Sequence, residues 1–127
     1  MTADKKKKIL ILYNSVGLGH KSIAENIAFY LQDAGLEVRL EDVLQVEHGR
    51  LSRGGERLYR FFLSHAPWIW NFLYRSSWVT NLLLGYRTKV AAKHSSHVLK
   101  IINDFRPDMA IATHTNASAI LTASLAA

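Results

Sequence analysis

The chain has no cysteine, which excludes disulfides and thiolate metal sites. Two prolines and seven glycines among 127 residues are too few for flexible linkers, collagen-like repeats or low-complexity tracts. No repeat of fixed period runs through it. No window reaches the roughly 18 apolar residues that a spanning helix needs. The opening MTADKKKK and the apolar run Ile9–Tyr13 imitate a secretion signal. That run is five residues long, against the roughly 7–15 of a signal core, and glycines and a His-Lys pair follow it; it reads as a buried strand. What remains is 49% hydrophobic and 20% charged, with mean hydropathy of +0.01. That composition suits one compact domain rather than a disordered chain. The expected location is the cytosol, or a membrane surface reached from the cytosolic side.

The formal charge of +6 is concentrated in one segment. Residues 43–100 hold Arg50, Arg53, Arg57, Arg60, Arg75, Arg87, Lys89, Lys93 and Lys100 against only Glu47 and Glu56. The aromatics gather there too, among them Tyr59, Phe61, Phe62, Trp68, Trp70, Phe72, Tyr74, Trp78 and Tyr86. Interleaved basic and Trp/Tyr side chains suit a membrane interface, where rings lie at headgroup depth and arginine meets anionic lipid. Two other readings stay open: an ordinary aromatic core beneath a solvated basic face, and a nucleic-acid surface that stacks bases.

Along the chain, Lys8–Tyr13 is a continuous apolar run of the kind found in parallel sheets covered on both faces. Asn14–Gly19 is a Gly-containing loop. From His20 the spacing of Ile23, Ile27, Leu31 and Ala34 predicts a helix, stopped at Gly35. Leu36–Leu40 is a second strand, with Glu41 and Asp42 just past its end. This is a β-α-β unit with a right-handed crossover. Leu51–Leu84 reads as helices interrupted near Pro67. Tyr86–Phe105 reads as a longer amphipathic helix with Val90, His94, Val98, Ile101 and Phe105 on its apolar side. Pro107 marks a break. Asp108–Thr113 is a third strand, His114–Asn116 the turn into a last, apolar helix. The fold class is therefore α/β, a Rossmann-like parallel sheet flanked by helices. Residues 1–127 form one domain that the thin sheet and the apolar last helix mark as incomplete.

The most specific feature is Asn14-Ser-Val-Gly-Leu-Gly-His20, which leaves the carboxyl end of the first strand and enters a helix. Ligands bind at that edge of open α/β sheets. Glycines let a backbone approach a ligand closely, and a helix N-terminus attracts negative charge. The phosphate-loop pattern GxxxxGK[ST] fails, because His20 separates Gly19 from Lys21-Ser22. The dinucleotide pattern GxGxxG is met by Gly17 and Gly19 but not at Ser22. Glu41 stands near where a ribose-binding acid belongs, which keeps an NAD-type dinucleotide domain as an alternative. A third reading makes His20 functional. The positive end of a helix disfavours an imidazolium, leaving a neutral ring able to act as a general base. His114 follows another strand and so shares the same edge. A His pair suggests metal, but no third ligand has suitable spacing, so no metal site is expected. His94 and His97, three apart on the long helix, read as packing or surface residues.

Gly17-Leu-Gly-His20, the aromatic-basic middle and Arg106-Pro-Asp-Met-Ala-Ile-Ala-Thr-His114 together resemble the N-terminal domain of the monogalactosyldiacylglycerol synthase and processive diacylglycerol glucosyltransferase family. The likeness covers nearly the whole chain. It implies the N-terminal half of a two-domain GT-B fold, which receives a lipid acceptor and touches the membrane. The donor-sugar domain would lie outside this chain, which alone should be inactive. It further implies hexose transfer from a UDP-sugar to diacylglycerol, with inversion, at the inner face of the cell membrane. His20 matches the family's loop histidine, the expected base. Asn14, Ser15, Gly17, Gly19, His114 and Asn116 become substrate-binding candidates. Arg57, Arg60, Trp68, Trp70, Arg75 and Trp78 become membrane contacts. The implied partners are diacylglycerol, anionic phospholipid and UDP-hexose, with no tightly bound cofactor and no nucleic acid. The family often carries Pro after the strand-end Thr-His or Thr-Phe, where this chain has Thr115. A membrane-binding module without enzymatic activity is the remaining alternative.

Overall fold

A computed structural model describes residues 6–15, 18–43, 57–58, 60–62 and 64–126, with Leu18, Trp70, Tyr74, Leu83, Arg87 and Val90 described by their backbone alone. Strand β1 (Lys8–Tyr13) leads to helix α1 (Leu18–Asp33) and strand β2 (Glu37–Asp42). Helical residues within 57–65 precede α2 (Pro67–Arg75) and the long α3 (Ser77–Phe105). Strand β3 (Met109–Ala112) and helix α4 (Thr115–Leu125) follow.

All three strands are parallel, in the order β2-β1-β3. Strand β1 is central, and its alternating side chains feed two separate cores. Ile9 and Ile11 pack with Ala24 and Ala28 of α1. Leu10 and Leu12 face the other way, onto Ala91, Val98 and Ile101 of α3 and Ala117 and Ile120 of α4. This follows from handedness. The chain moves from β1 to β2 on one side and from β2 to β3 back past β1, so two right-handed crossovers place α1 and α3 on opposite faces. Each buried Leu or Ile of β1 contributes roughly 1.5–3 kcal/mol, and the four together form the spine of the fold.

Several boundaries differ from those the sequence suggests. Strand β2 runs on through Glu41 and Asp42, pairing them with Leu12 and Tyr13, because β1 is long enough to hold them. Helix α1 begins at Leu18, so His20 lies in its first turn. Helix α3 begins at Ser77 rather than Tyr86. Gly85 is the one glycine in its path, and a helix tolerates it at about 1 kcal/mol. Pro67 opens α2 at its first position, where its missing N–H is not needed. The stop at Gly35 takes the form its residue type suggests. Gly35 has φ +84°; its N–H donates to Gln32 O, and Leu36 N–H donates back to Leu31 O at 3.1 Å, closing the helix with a left-handed cap.

Helices α3 and α4 pack on each other through Ala91, Val98 and Ile101 of α3 and Ala117 and Ile120 of α4. Ser124 is buried there, and its hydroxyl donates both to Ile120 O (2.7 Å) within α4 and to Ser95 O (3.0 Å) across to α3. His94 is buried and His97 exposed, so the i, i+3 pair divides between core and surface.

Candidate functional site

The order β2-β1-β3 reverses direction at β1, which makes the carboxyl edge between β1 and β3 a topological switch point. In open parallel sheets the crevice at such a point is where ligands bind. An open pocket of about 520 Å³ lies at this edge, lined by His20, Ala112, Thr113, His114, Thr115 and Ser118. Two helices from opposite faces of the sheet start here: α1 supplies His20 from its first turn, and α4 supplies His114 as its N-cap.

The two imidazoles meet edge to face, with ring centroids 4.5 Å apart and planes 81° apart. Nδ1 of His20 lies 3.1 Å from Thr113 O. A carbonyl only accepts, so Nδ1 carries the hydrogen and Nε2 of the neutral ring carries the lone pair. The Thr113 hydroxyl donates to His20 O at 3.4 Å, and Thr113 N–H donates to Leu12 O at 3.0 Å. The His20 imidazole thus lines an open crevice and is tied to β1 through one threonine.

The loop after β1 is held from beneath. Asp42, buried at the carboxyl end of β2, accepts a hydrogen bond from Ser15 N–H at 3.4 Å. Asn14 is buried just past the end of β1. Neither it nor Ser15, Gly19 or Asn116 is among the pocket's lining residues. Asn116 takes part through its backbone, which donates to His114 Nδ1 at 3.0 Å. Gly19 has no positive φ, and a Cβ built on it would meet nothing within 4 Å; the fold does not demand glycine there. Gly17 lies outside the described residues.

Thr113, Thr115 and Ser118 line the pocket without having been singled out as site residues. Their signal was available in outline. With His114 as the helix cap, Ser118 lies one turn on from it, at i+4, and Thr115 and Ser118 are i, i+3 neighbours on one face. Thr115 is the first residue of α4. Proline is favoured at that first helical position; here threonine stands there and lines the pocket.

Glu41, the possible ribose-binding acid, is engaged elsewhere. Its Oε1 accepts from Arg39 Nε at 2.7 Å and lies 2.6 Å from Arg39 Nη2. The acid that reaches the loop is Asp42. Burial pushes the Tyr13 phenol at the end of β1 above its ordinary range, with smaller contributions from the Asp42, Glu25 and Glu41 carboxylates. Among the described residues no group of three or more His, Asp or Glu is placed to hold a metal ion.

Among the described residues of the aromatic-basic region, several large apolar side chains lie at the surface. Trp68 is 71% exposed and Trp78 65%. Phe61, Phe72, Leu82 and Tyr86 are exposed with them, as are Arg57, Arg60 and Arg75. The Trp70 side chain lies outside the described residues. No described helix is long and apolar enough to cross a membrane.

Sheet order, crossovers and switch-point pocket define a Rossmann-like α/β half-domain. Over 117 residues (90% of this chain) it is 26% identical to monogalactosyldiacylglycerol synthase 3, chloroplastic, of Arabidopsis thaliana. Over 115 residues it is 27% identical to monogalactosyldiacylglycerol synthase 2, chloroplastic, of the same plant. The chain spans about a quarter of the length of these curated relatives. The relationship is a distant one to glycosyltransferases. No family model matches the chain, and no solved structure does.

Proposed function

We propose that this chain is the acceptor-binding, membrane-contacting part of a lipid glycosyltransferase that moves a hexose from a UDP-sugar to diacylglycerol with inversion. The observation that carries this reading is His20 in the switch-point pocket, its Nδ1 committed to Thr113 O. In the proposed reaction, His20 Nε2 removes the proton from the diacylglycerol hydroxyl. The hydroxyl oxygen then attacks the anomeric carbon as its bond to UDP breaks. The proton ends on His20 and the negative charge on the departing UDP. Thr115 and Ser118 offer hydroxyls to orient the polar end of the acceptor. The donor sites would come from protein outside these residues, as the quarter-length match to the relatives suggests.

The reading also assigns a role to the exposed rings beside Arg57, Arg60 and Arg75. Amphipathic aromatics lie at headgroup depth while arginines meet anionic lipid, each basic residue contributing about 1 kcal/mol near such a surface. Peripheral attachment at the inner face of the cell membrane brings the pocket to a substrate that does not leave the bilayer.

The test is transfer of hexose from UDP-hexose to diacylglycerol by the full-length protein carrying His20→Ala. Loss of a general base lowers the rate by about 10²-fold or more. Unchanged transfer would remove His20 from the mechanism.

A further inference from the structure

The two histidines of the pocket make hydrogen bonds of opposite sense. His20 Nδ1 faces a carbonyl, Thr113 O, at 3.1 Å and must donate. His114 Nδ1 accepts from the backbone N–H of Asn116 at 3.0 Å. A peptide N–H only donates, so that nitrogen carries no hydrogen and the neutral ring bears its proton on Nε2. We propose that His114 is a positioning residue for His20: the pair is locked in opposite tautomers, and the His114 ring holds the His20 ring in the one that leaves Nε2 as the basic atom. The role of His114 rests on the reading of His20 as the base; the tautomers rest on geometry alone.

The lock has three parts. The cap bond to Asn116 fixes the orientation of the His114 ring, and Ser118 N–H donating to His114 O at 2.9 Å fixes its backbone. The His114 ring stands edge to face against His20 at 4.5 Å, a geometry that aromatic rings prefer. Thr113, adjacent to His114 in sequence, is pinned by its N–H to Leu12 O and presents its carbonyl to His20. A hydrogen on His114 Nδ1 would abolish the cap bond from Asn116 N–H. A free histidine ring favours hydrogen on Nε2, which is the wrong atom for this base. The His114 ring is what keeps His20 turned toward the carbonyl against that preference.

Long-range proton–nitrogen NMR of the 127-residue chain, at a pH where both rings are neutral, reads each tautomer directly. The expected spectrum shows His20 with hydrogen on Nδ1 and His114 with hydrogen on Nε2. The reverse assignment for either ring overturns the proposal without any variant. His114→Asn then separates ring from cap, because asparagine is a strong N-cap without an imidazole. The amide spectrum of the fold is expected to persist while His20 relaxes to a mixture of tautomers. A His20 pattern unchanged by His114→Asn shows that His114 is only a cap and sinks the proposal. If that variant does not fold, His114→Ser, a second ringless cap, replaces it. In the full-length enzyme, His114→Asn lowers kcat by roughly 10-fold or more with KM held, as misorientation of a reacting group does. Opposite tautomers together with unimpaired transfer by His20→Ala would leave the lock standing and remove the enzymatic reading instead.

Discussion

Lys8 and Asp108, a hundred residues apart, are joined by a 2.7 Å hydrogen bond from the backbone N–H of one to the carboxylate of the other. The bond ties β1 to the residue just before β3. Asp108 N–H donates back to Lys8 O at 2.8 Å, and the Lys8 ammonium reaches Glu37 of β2 and the Phe105 ring. The amino edge of the sheet is thus stitched across all three strands, while the carboxyl edge is left open for the pocket.

Asp108→Ala should therefore cost stability and leave the site alone. A lost hydrogen bond of this kind is worth about 1 kcal/mol. Urea denaturation should show a drop of that size, and the His20 and His114 ring signals should not move. A shift in those signals would mean that the two edges of the sheet are coupled.

Two glycines should respond to alanine with opposite signs. Gly19 sits in the first turn of α1 with open space around it, so Gly19→Ala is neutral or stabilising, by at most about 1 kcal/mol. Gly35 has φ +84°, and Gly35→Ala costs roughly 1–2 kcal/mol. Thermal melts of the two variants check this. If Gly19→Ala folds well yet impairs transfer in the full-length protein, the open space beside residue 19 is where substrate passes.

The Tyr13 phenol has a raised pKa, from burial first and then from Asp42, Glu25 and Glu41. A raised folded pKa means the native state keeps its proton when the unfolded state has lost it. Stability from this group is complete below the unfolded value near 10 and is lost as pH climbs from there toward the folded value. Tyr13→Phe should lose less stability than the wild type between pH 9 and pH 11 in denaturant titrations. Parallel losses would contradict the assignment.

Liposome flotation tests the aromatic-basic surface. A variant with Trp68, Phe72 and Trp78 changed to Ser and Arg57, Arg60 and Arg75 changed to Gln should lose most of its binding to vesicles containing anionic phospholipid. Wild-type binding should weaken as salt rises, because the arginine contribution is screened. Equal flotation of both proteins would move the membrane contact elsewhere. Binding of the wild type to nucleic acid but not to vesicles would favour the base-stacking reading.

Much of this protein is set by local sequence. The unbroken apolar run of β1 dictates a strand covered on both faces, helical spacing after His20 dictates α1, and Gly35 dictates its stop. Each is a matter of neighbouring residues and short-range sterics. The sheet order, the meeting of His20 with His114, and the choice of Asp42 rather than Glu41 to hold the loop were decided by tertiary structure. They depend on which side of β1 the chain returns to, and nothing within ten residues of either histidine encodes that. The exposure of Trp68 and Trp78 belongs to the same class. Their spacing is equally good for a core or a surface, and only the packing of Val79, Ala91 and Val98 into buried positions determines which side of the helices is left facing outward.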